Sequence, residues 1–519
     1  MLLQRIRSTV LVLTIALAVL GALAASPARA QADGRSGLSL KQEAVLRGIA
    51  RDTWRFFEDD LDPQTSLPLD NLGPGDQRGH YTSSANVGVY LWAVVAAYDL
   101  KIINRRTAVA KIGATLRTVR TMKRSSGFLY QWYDTRTAKV IPNPGSDLSC
   151  ADDPDAATDN CSFLSAVDNG WYASGLVVTR RAFPELARRA SDLLRDMDFS
   201  IFYDDRAQTA CNVNADVDSQ PTGQMYGGYY VGTGPAGYHN GAIYSDPRMA
   251  MYLGIGLHQM PGDVWWRTWR TLPPKQCDTD PDFSWQGQPK PQGYWTSITD
   301  PQSGKRFRVW EGHYTYPGTD LTYLPTYNGG MFEALMALQV VPETTWGPRS
   351  FGLADRRSVQ VQIKYATERL GYPVWGLSPS STPNDSGGYN AYGVQGLTFP
   401  TGEQLAQGPC PSCSPSPESA VTPHASFLAL TVAPQSAYDN IATLRKDYPD
   451  SYSADGGFYD AVDPRTGAVG HRRLVLDQSM IMAALDNTLN NGRLQRWYAS
   501  DPVSRLPKKY LQAETMSLH

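Results

Sequence analysis

The chain has 519 residues, with 48 Lys+Arg against 50 Asp+Glu, 42% hydrophobic and 11% aromatic residues. That hydrophobic fraction excludes a disordered chain, and the lack of a strict glycine period excludes a collagen-like one. The near-neutral balance argues against a nucleic-acid partner, whose footprint is a basic surface.

Residues 1–30 read as an export signal. Arg5 and Arg7 open it, an apolar run from Val10 to Ala25 follows, and Ala28-Arg29-Ala30 gives an A-x-A cleavage pattern. The mature chain is expected to begin near Gln31, in the periplasm or outside the cell. Loss of three Arg and no acid takes the formal charge from −2 to −5. No later stretch is long and apolar enough to span a bilayer, so no membrane partner is expected after cleavage.

Apolar residues at helical spacing, bounded by caps and breakers, predict helices at about 40–60, 83–102, 106–123, 169–181, 183–197, 247–259, 262–271, 328–340, 354–371, 423–433, 435–447, 475–490 and 491–499. The connections alternate. Long ones cover about 61–82, 124–168, 198–246, 272–327, 372–422 and 448–474, and tight turns lie between them. Six long loops separated by tight turns is the pattern of a ring of antiparallel helix pairs, with the long loops on one rim. An α-solenoid is the alternative, but no internal repeat of fixed period is visible. Long structured loops are usually functional.

Six cysteines remain after export: Cys150, Cys161, Cys211, Cys277, Cys410 and Cys413. An even count in an oxidising compartment reads as disulfides. Sequence neighbours suggest Cys150–Cys161, Cys211–Cys277 and Cys410–Cys413, among fifteen possible pairings. Cys410-Pro-Ser-Cys413 lacks a second cysteine pair or a nearby His, so it reads as a loop staple rather than a metal or redox site.

The loops are rich in Tyr, Trp, Gly and Asp, a composition suited to sugars, whose C–H faces pack on rings and whose hydroxyls need hydrogen-bond partners. Trp132, Tyr133, Trp171, Tyr229, Trp310, Tyr389 and Tyr392 are the candidate ring surfaces. Arg248 and His424 are the candidate polar contacts. More than half of the Trp and Tyr are expected in the core. Gly232-Thr-Gly-Pro-Ala-Gly237 matches G-x-G-x-x-G but opens no helix of a β-α-β unit, so it is a chance match. The seven His show no helix-face metal spacing, so neither metal nor cofactor is expected.

Glycoside hydrolysis needs two carboxyls, one to protonate the leaving oxygen and one to activate water or attack. Asp168, Asp246, Glu333 and Asp460 lie where long loops meet helices, and Asp477 is a spare. Asp168 and Asp246 are also placed for N-capping, and Glu333 for a half-buried ion pair. Glu311 and other loop acids are expected to be solvated or binding.

Eight motifs occur in order: Gly127-Phe-Leu-Tyr-Gln-Trp-Tyr-Asp-Thr135, Val167-Asp-Asn-Gly-Trp171, Met197-Asp-Phe-Ser200, Tyr244-Ser-Asp-Pro-Arg-Met249, Gly329-Gly-Met-Phe-Glu333, Thr422-Pro-His-Ala-Ser426, Gly457-Phe-Tyr-Asp-Ala-Val462 and Leu476-Asp-Gln478. Together they resemble the bacterial glucoamylase-like domain, including glycoside hydrolase family 144 endo-β-1,2-glucanases and the domain attached to cyclic β-1,2-glucan synthases. The resemblance implies an all-α (α/α)6 toroid, one catalytic domain over 31–519, and metal-free hydrolysis of a β-1,2-glucan by a carboxylate pair. It places Asp168, Glu333 and Asp460 in or near the sugar cleft. Where that family reads Ser-Glu-x-Arg, this chain reads Ser245-Asp246-Pro247-Arg248. The Pro-rich 409–417 loop is also atypical. A monomer acting on a polysaccharide or oligosaccharide is the expectation. A non-catalytic glycan-binding protein and a polysaccharide lyase are the alternatives.

Overall fold

Short polar side chains set where the first helices begin. Ser39 and Gln42 form a reciprocal capping box ahead of α1, Leu40–Asp59. Ser83 caps α2, Ser84–Asp99, and Asn104 caps α3, Arg105–Thr121, each by accepting a backbone N–H of the first turn. Ser165 caps α4, Ala166–Ala182, and Pro184 opens α5, Pro184–Arg195. The remaining elements of the pattern are α6, Arg248–Gly256; α7, Asp263–Arg267; α8, Met331–Leu335; α9, Phe351–Lys364; α10, Pro423–Leu428; α11, Pro434–Asp447; and α12, Val475–Leu489. Two more, α13, Arg493–Ala499, and α14, Arg505–Ala513, close the chain. The computed structural model describes residues 36–153, 159–205, 223–271, 291–394, 397–398 and 420–518. The export signal, Cys211, Cys277, Cys410, Cys413 and the 409–417 loop lie outside them. Cys150 and Cys161 are bonded, with Cα atoms 5.6 Å apart.

Odd- and even-numbered helices up to α12 differ in burial. In α2 every residue from Ser84 to Ala97 is buried, and all of α10 is buried. By contrast, α5 buries only Leu186, Ala190, Leu193 and Leu194, a stripe at helical spacing. The even helices are therefore interior and the odd ones cover them. The interior helices pack in sequence order, α2 on α4, α4 on α6, α8 on α10, α10 on α12, and α12 packs back on α2. Hydrogen bonds from Arg248 join α6 to α8. Among the described residues no helix is long and apolar enough to cross a membrane.

Strand content is the departure from a purely helical reading. Between α7 and α8 the chain forms a hairpin, Gln292–Thr299 against Arg306–Thr315, with Trp295 opposite Trp310. Short strand pairs brace the other long connections. Gly232–Gly237 belongs to one of these, where Gly234 pairs with Tyr230, and opens no helix.

The α2–α4 crossing depends on two glycines. A Cβ on Gly88 would lie 2.4 Å from the Trp171 carbonyl oxygen, and one on Gly175 would lie 2.4 Å from the Gly88 oxygen. Backbone meets backbone here, so no side chain can move aside. Gly88→Ala and Gly175→Ala are each expected to destabilise the fold by about 1–3 kcal/mol or more through overpacking. Chemical denaturation checks this, with Gly75→Ala, where nothing stands within 4 Å but φ is +60°, as the comparison for backbone strain alone.

Candidate active site

The carboxyls named from sequence converge where interior helices begin. Asp168 and Glu333 stand in the first turns of α4 and α8. Asp246 immediately precedes Pro247 and α6, and Asp477 stands in the first turn of α12. Asp460 sits between the short strands Gly457–Phe458 and Ala461–Val462.

Capping does not occupy these acids. The α4 cap is Ser165, whose hydroxyl accepts from the Asp168 N–H, and α6 has no side-chain cap. Asp168 instead accepts from Gln131 Nε2 at 3.1 Å. Burial raises its carboxyl above the ordinary range, against side-chain hydrogen bonds with Ser165 and Gln131.

Asp246 and Glu333 form the first pair. The Ser245 hydroxyl donates to Glu333 Oε2 at 2.6 Å, and the Asp246 N–H donates to the same oxygen at 3.4 Å. The Asp246 carboxyl is held well above the carboxylate range, first by burial, then by the Glu333 charge and a hydrogen bond to it, with Asp168 adding to the effect. Two buried carboxyls in contact cannot both ionise cheaply, which favours the protonated form of Asp246. Glu333 makes no salt bridge among the described residues, which removes the ion-pair reading.

Asp460 and Asp477 form the second pair. Asp460 Oδ2 accepts the Ser381 N–H at 2.6 Å. Burial and the Asp477 charge push Asp460 well above its ordinary range, and burial pushes Asp477 to about 7. His424 Nδ1 lies 3.3 Å from Asp477 Oδ2, and burial lowers the imidazole to about 4, so it is neutral. Ligand atoms of His424, Asp460 and Asp477 all lie within 4.8 Å of one another.

Tyr389 ties the two pairs together. It faces Ser381 in register, and 52% of its surface is exposed. Its phenol is nonetheless held well above its ordinary range by burial and by the fields of Asp477, Asp460, Asp70 and Glu333.

Residues 295–502 match the family model "Glycoamylase: Putative glucoamylase", and residues 48–239 match one described as a protein of unknown function, DUF3131. Residues 295–502 are thus similar to a glucoamylase-like domain. It is 24% identical over 585 aligned positions to the cyclic beta-(1,2)-glucan synthase NdvB of Rhizobium meliloti. That alignment covers 94% of this chain and 19% of the relative, so the chain spans about a fifth of that protein's length. Among solved structures it is similar to an endo-beta-1,2-glucanase from Chitinophaga pinensis in complex with sophorotriose and glucose. The TM-score is 0.61 at 15% identity, covering 91% of this chain and 98% of that one. It is also similar to an endo-beta-1,2-glucanase from Talaromyces funiculosus in complex with sophorose, with a TM-score of 0.57 at 11% identity, covering 92% and 91%. These likenesses show a shared fold.

Around these acids the ring candidates divide. Trp132 is partly exposed and packs edge-on to Tyr81 at 5.8 Å. Tyr229 is partly exposed on the strand Gly228–Tyr230, beside the strand that feeds α4. Trp310 packs on Trp295 at 5.7 Å, in a group that includes Trp269. Tyr392 is buried and accepts from Asn390. Two candidates are corrected. Tyr133 is fully buried, with its hydroxyl donating to the Lys123 carbonyl and accepting the Tyr130 N–H, and Trp171 is buried edge-on to Trp92. Both are core residues. Glu311 is also buried, facing Arg270, rather than solvated.

Arg248 is the third correction. Its Nε and Nη2 bond Glu343, Nη1 bonds the Ser245 and Glu333 carbonyls, and Nη2 also bonds the Ala334 carbonyl. All five N–H donors are used, and none is left for a sugar. Arg248 positions the two residues that flank the Asp246–Glu333 contact. Asp70 is a member the sequence reading missed. It accepts from Asn71 and Asn86, and burial raises its carboxyl. Its only signal was an Asp-Asn step in a long loop on the same rim. Arg248→Gln is expected to destabilise the protein by about 3–5 kcal/mol, because Glu343 is left buried and uncompensated. Urea denaturation measures it, and a near-neutral result would show that the network is not what joins α6 to α8.

Proposed function

We propose that the protein is an exported glycoside hydrolase, a single (α/α)6 toroid over residues 31–519, that cleaves a β-1,2-linked or related glucan with carboxyl groups alone. The reading rests on one observation above the others: two pairs of buried acids, Asp246 beside Glu333 and Asp460 beside Asp477, where interior helices begin. Asp246, protonated beside Glu333, is the general acid for the leaving oxygen. Asp460 is the base or nucleophile, in the form of its pair in which the shared proton sits on Asp477. Glycoside cleavage needs this division, one carboxyl kept neutral and one able to take charge. The substrates named for the structural neighbours supply the glucan. The even count of mature cysteines and the A-x-A site supply the exported, oxidising compartment.

A non-catalytic glycan-binding protein on the same scaffold is disfavoured by the same carboxyls. Packing like charges together costs stability and contributes nothing to holding a neutral sugar, which rings and single hydrogen bonds hold as well. A lyase acting on uronic acids would meet repulsion from this acidic rim.

Asp246→Asn is expected to abolish turnover of the true substrate while leaving stability within about 1 kcal/mol, since an amide also donates to Glu333. Turnover on a panel of β-1,2-, β-1,3- and β-1,4-glucans, with chemical denaturation of the same variant, makes the test. Retained turnover removes Asp246 from the chemistry.

The pH profile tests the pairing. Glu333 raises the Asp246 carboxyl, so removing its charge lowers it. In Glu333→Gln the general acid is lost at lower pH, and the alkaline limb of kcat/KM is expected to move to lower pH. An unmoved limb would separate Glu333 from the acid.

A further inference from the structure

We propose that His424, Asp460 and Asp477 form a site for one divalent transition-metal ion, and that occupancy blocks the glycosidase reaction. The three side chains are 1%, 2% and 2% exposed. Asp460 Oδ1, Asp477 Oδ2 and both ring nitrogens of His424 make no hydrogen bond with the protein. A proton shared by Asp460 and Asp477 satisfies the two acids but leaves the buried imidazole without a hydrogen-bond partner. A cation satisfies all three at once. Two carboxylates and a neutral imidazole also supply the charge of −2 that a divalent ion neutralises.

The spacing fits. Zinc–ligand bonds of about 2.0–2.2 Å set tetrahedral ligand separations of about 3.3–3.6 Å. His424 Nδ1 and Asp477 Oδ2 stand 3.3 Å apart, with an Asp460 oxygen within 4.8 Å of both. The ligands sit on three anchored elements: His424 in the first turn of α10, Asp477 in the first turn of α12, and Asp460 held through its N–H to the Arg472 carbonyl. The Ser381 N–H on Asp460 Oδ2 leaves Oδ1 to the ion, the arrangement of an outer hydrogen bond orienting a ligand. An ion there takes the lone pair that Asp460 needs as base, so inhibition rests on the function proposed above, whereas binding does not.

Calorimetric titration of untagged, chelator-treated mature protein with zinc chloride at neutral pH tests the site. One ion per chain is expected, with affinity weakened about tenfold or more in both His424→Gln and Asp477→Asn and unchanged in Asp168→Asn. Thermal melting of each variant confirms that it is folded. No binding to the wild-type protein, or wild-type affinity in either folded variant, overturns the proposal. Turnover measured in the same zinc series is expected to fall as the site fills. Stoichiometric binding with undiminished turnover would uphold the site and overturn Asp460 as the base.

Discussion

The geometry of the acid pair depends on one buried cation. The Arg248 guanidinium is held by Glu343 and in turn holds the main chain at Ser245, Glu333 and Ala334. Tyr252 adds a hydroxyl to Glu343, and Tyr244 donates to Asp355 close by. A guanidinium offers five donors in a fixed plane, which lets one side chain fasten the start of α6 to α8 at several points. The cost of burying the pair is large, so such a network is weak evidence of stability gained. Its consequence is positional. With both backbones fixed, Ser245 and Asp246 must meet the Glu333 carboxylate.

That placement explains why the rim tolerates so many acids. Asp60, Asp70, Asp168, Asp246, Asp460 and Asp477 all have carboxyls raised above their ordinary range, with burial the leading cause in each. Fully ionised, these groups would repel one another across a low-dielectric cavity. Holding protons on one member of a pair removes the repulsion and stores an acid ready for use. The same cluster has a stability consequence of definite sign. A carboxyl whose folded value is raised binds its proton more tightly in the native state. Its contribution is therefore complete below the unfolded value near 4 and is lost as pH rises through the folded value, about 7 for Asp477. His424, lowered to about 4, acts in the opposite sense between there and its unfolded value near 6.5.

The helices were legible because local chemistry and burial agree in them. Ser83, Pro184 and Pro434 mark starts that the structure places within a residue or two. The interior helices, apolar on all sides, could hardly be anything else in a chain of this size. The hairpin at 292–315 does not stand out in the sequence because its alternation, clear in Arg306-Phe-Arg-Val-Trp, lies inside a long connection between helices. At the site, position along the chain was informative and side-chain direction was not. Asp168, Asp246, Glu333, Asp460 and Asp477 were found because a loop-to-helix junction is where an interior helix meets the rim. Tyr133 and Trp171 lie in the same stretches of sequence yet turn inward: the Tyr133 hydroxyl bonds the Lys123 carbonyl, and Trp171 packs edge-on to Trp92 inside α4. Arg248 misled for the same reason. Residue type suggested a ligand contact, and only its five filled donors show otherwise.

The Asp at 246, where the family resemblance leads one to expect Glu, fits these contacts. One methylene fewer draws the carboxyl back by roughly 1–1.5 Å, a shift that by itself would misplace a general acid. In this chain the Asp246 main chain already touches Glu333, through its N–H, and Pro247 fixes the turn that follows at φ −54°. A shorter arm from that backbone meets Glu333 and shares its proton. A longer one would carry the carboxyl past it. The substitution thus exchanges reach for coupling: the proton sits further from the rim and is held more strongly by its neighbour. A sugar must then come closer to the start of α6 to receive it.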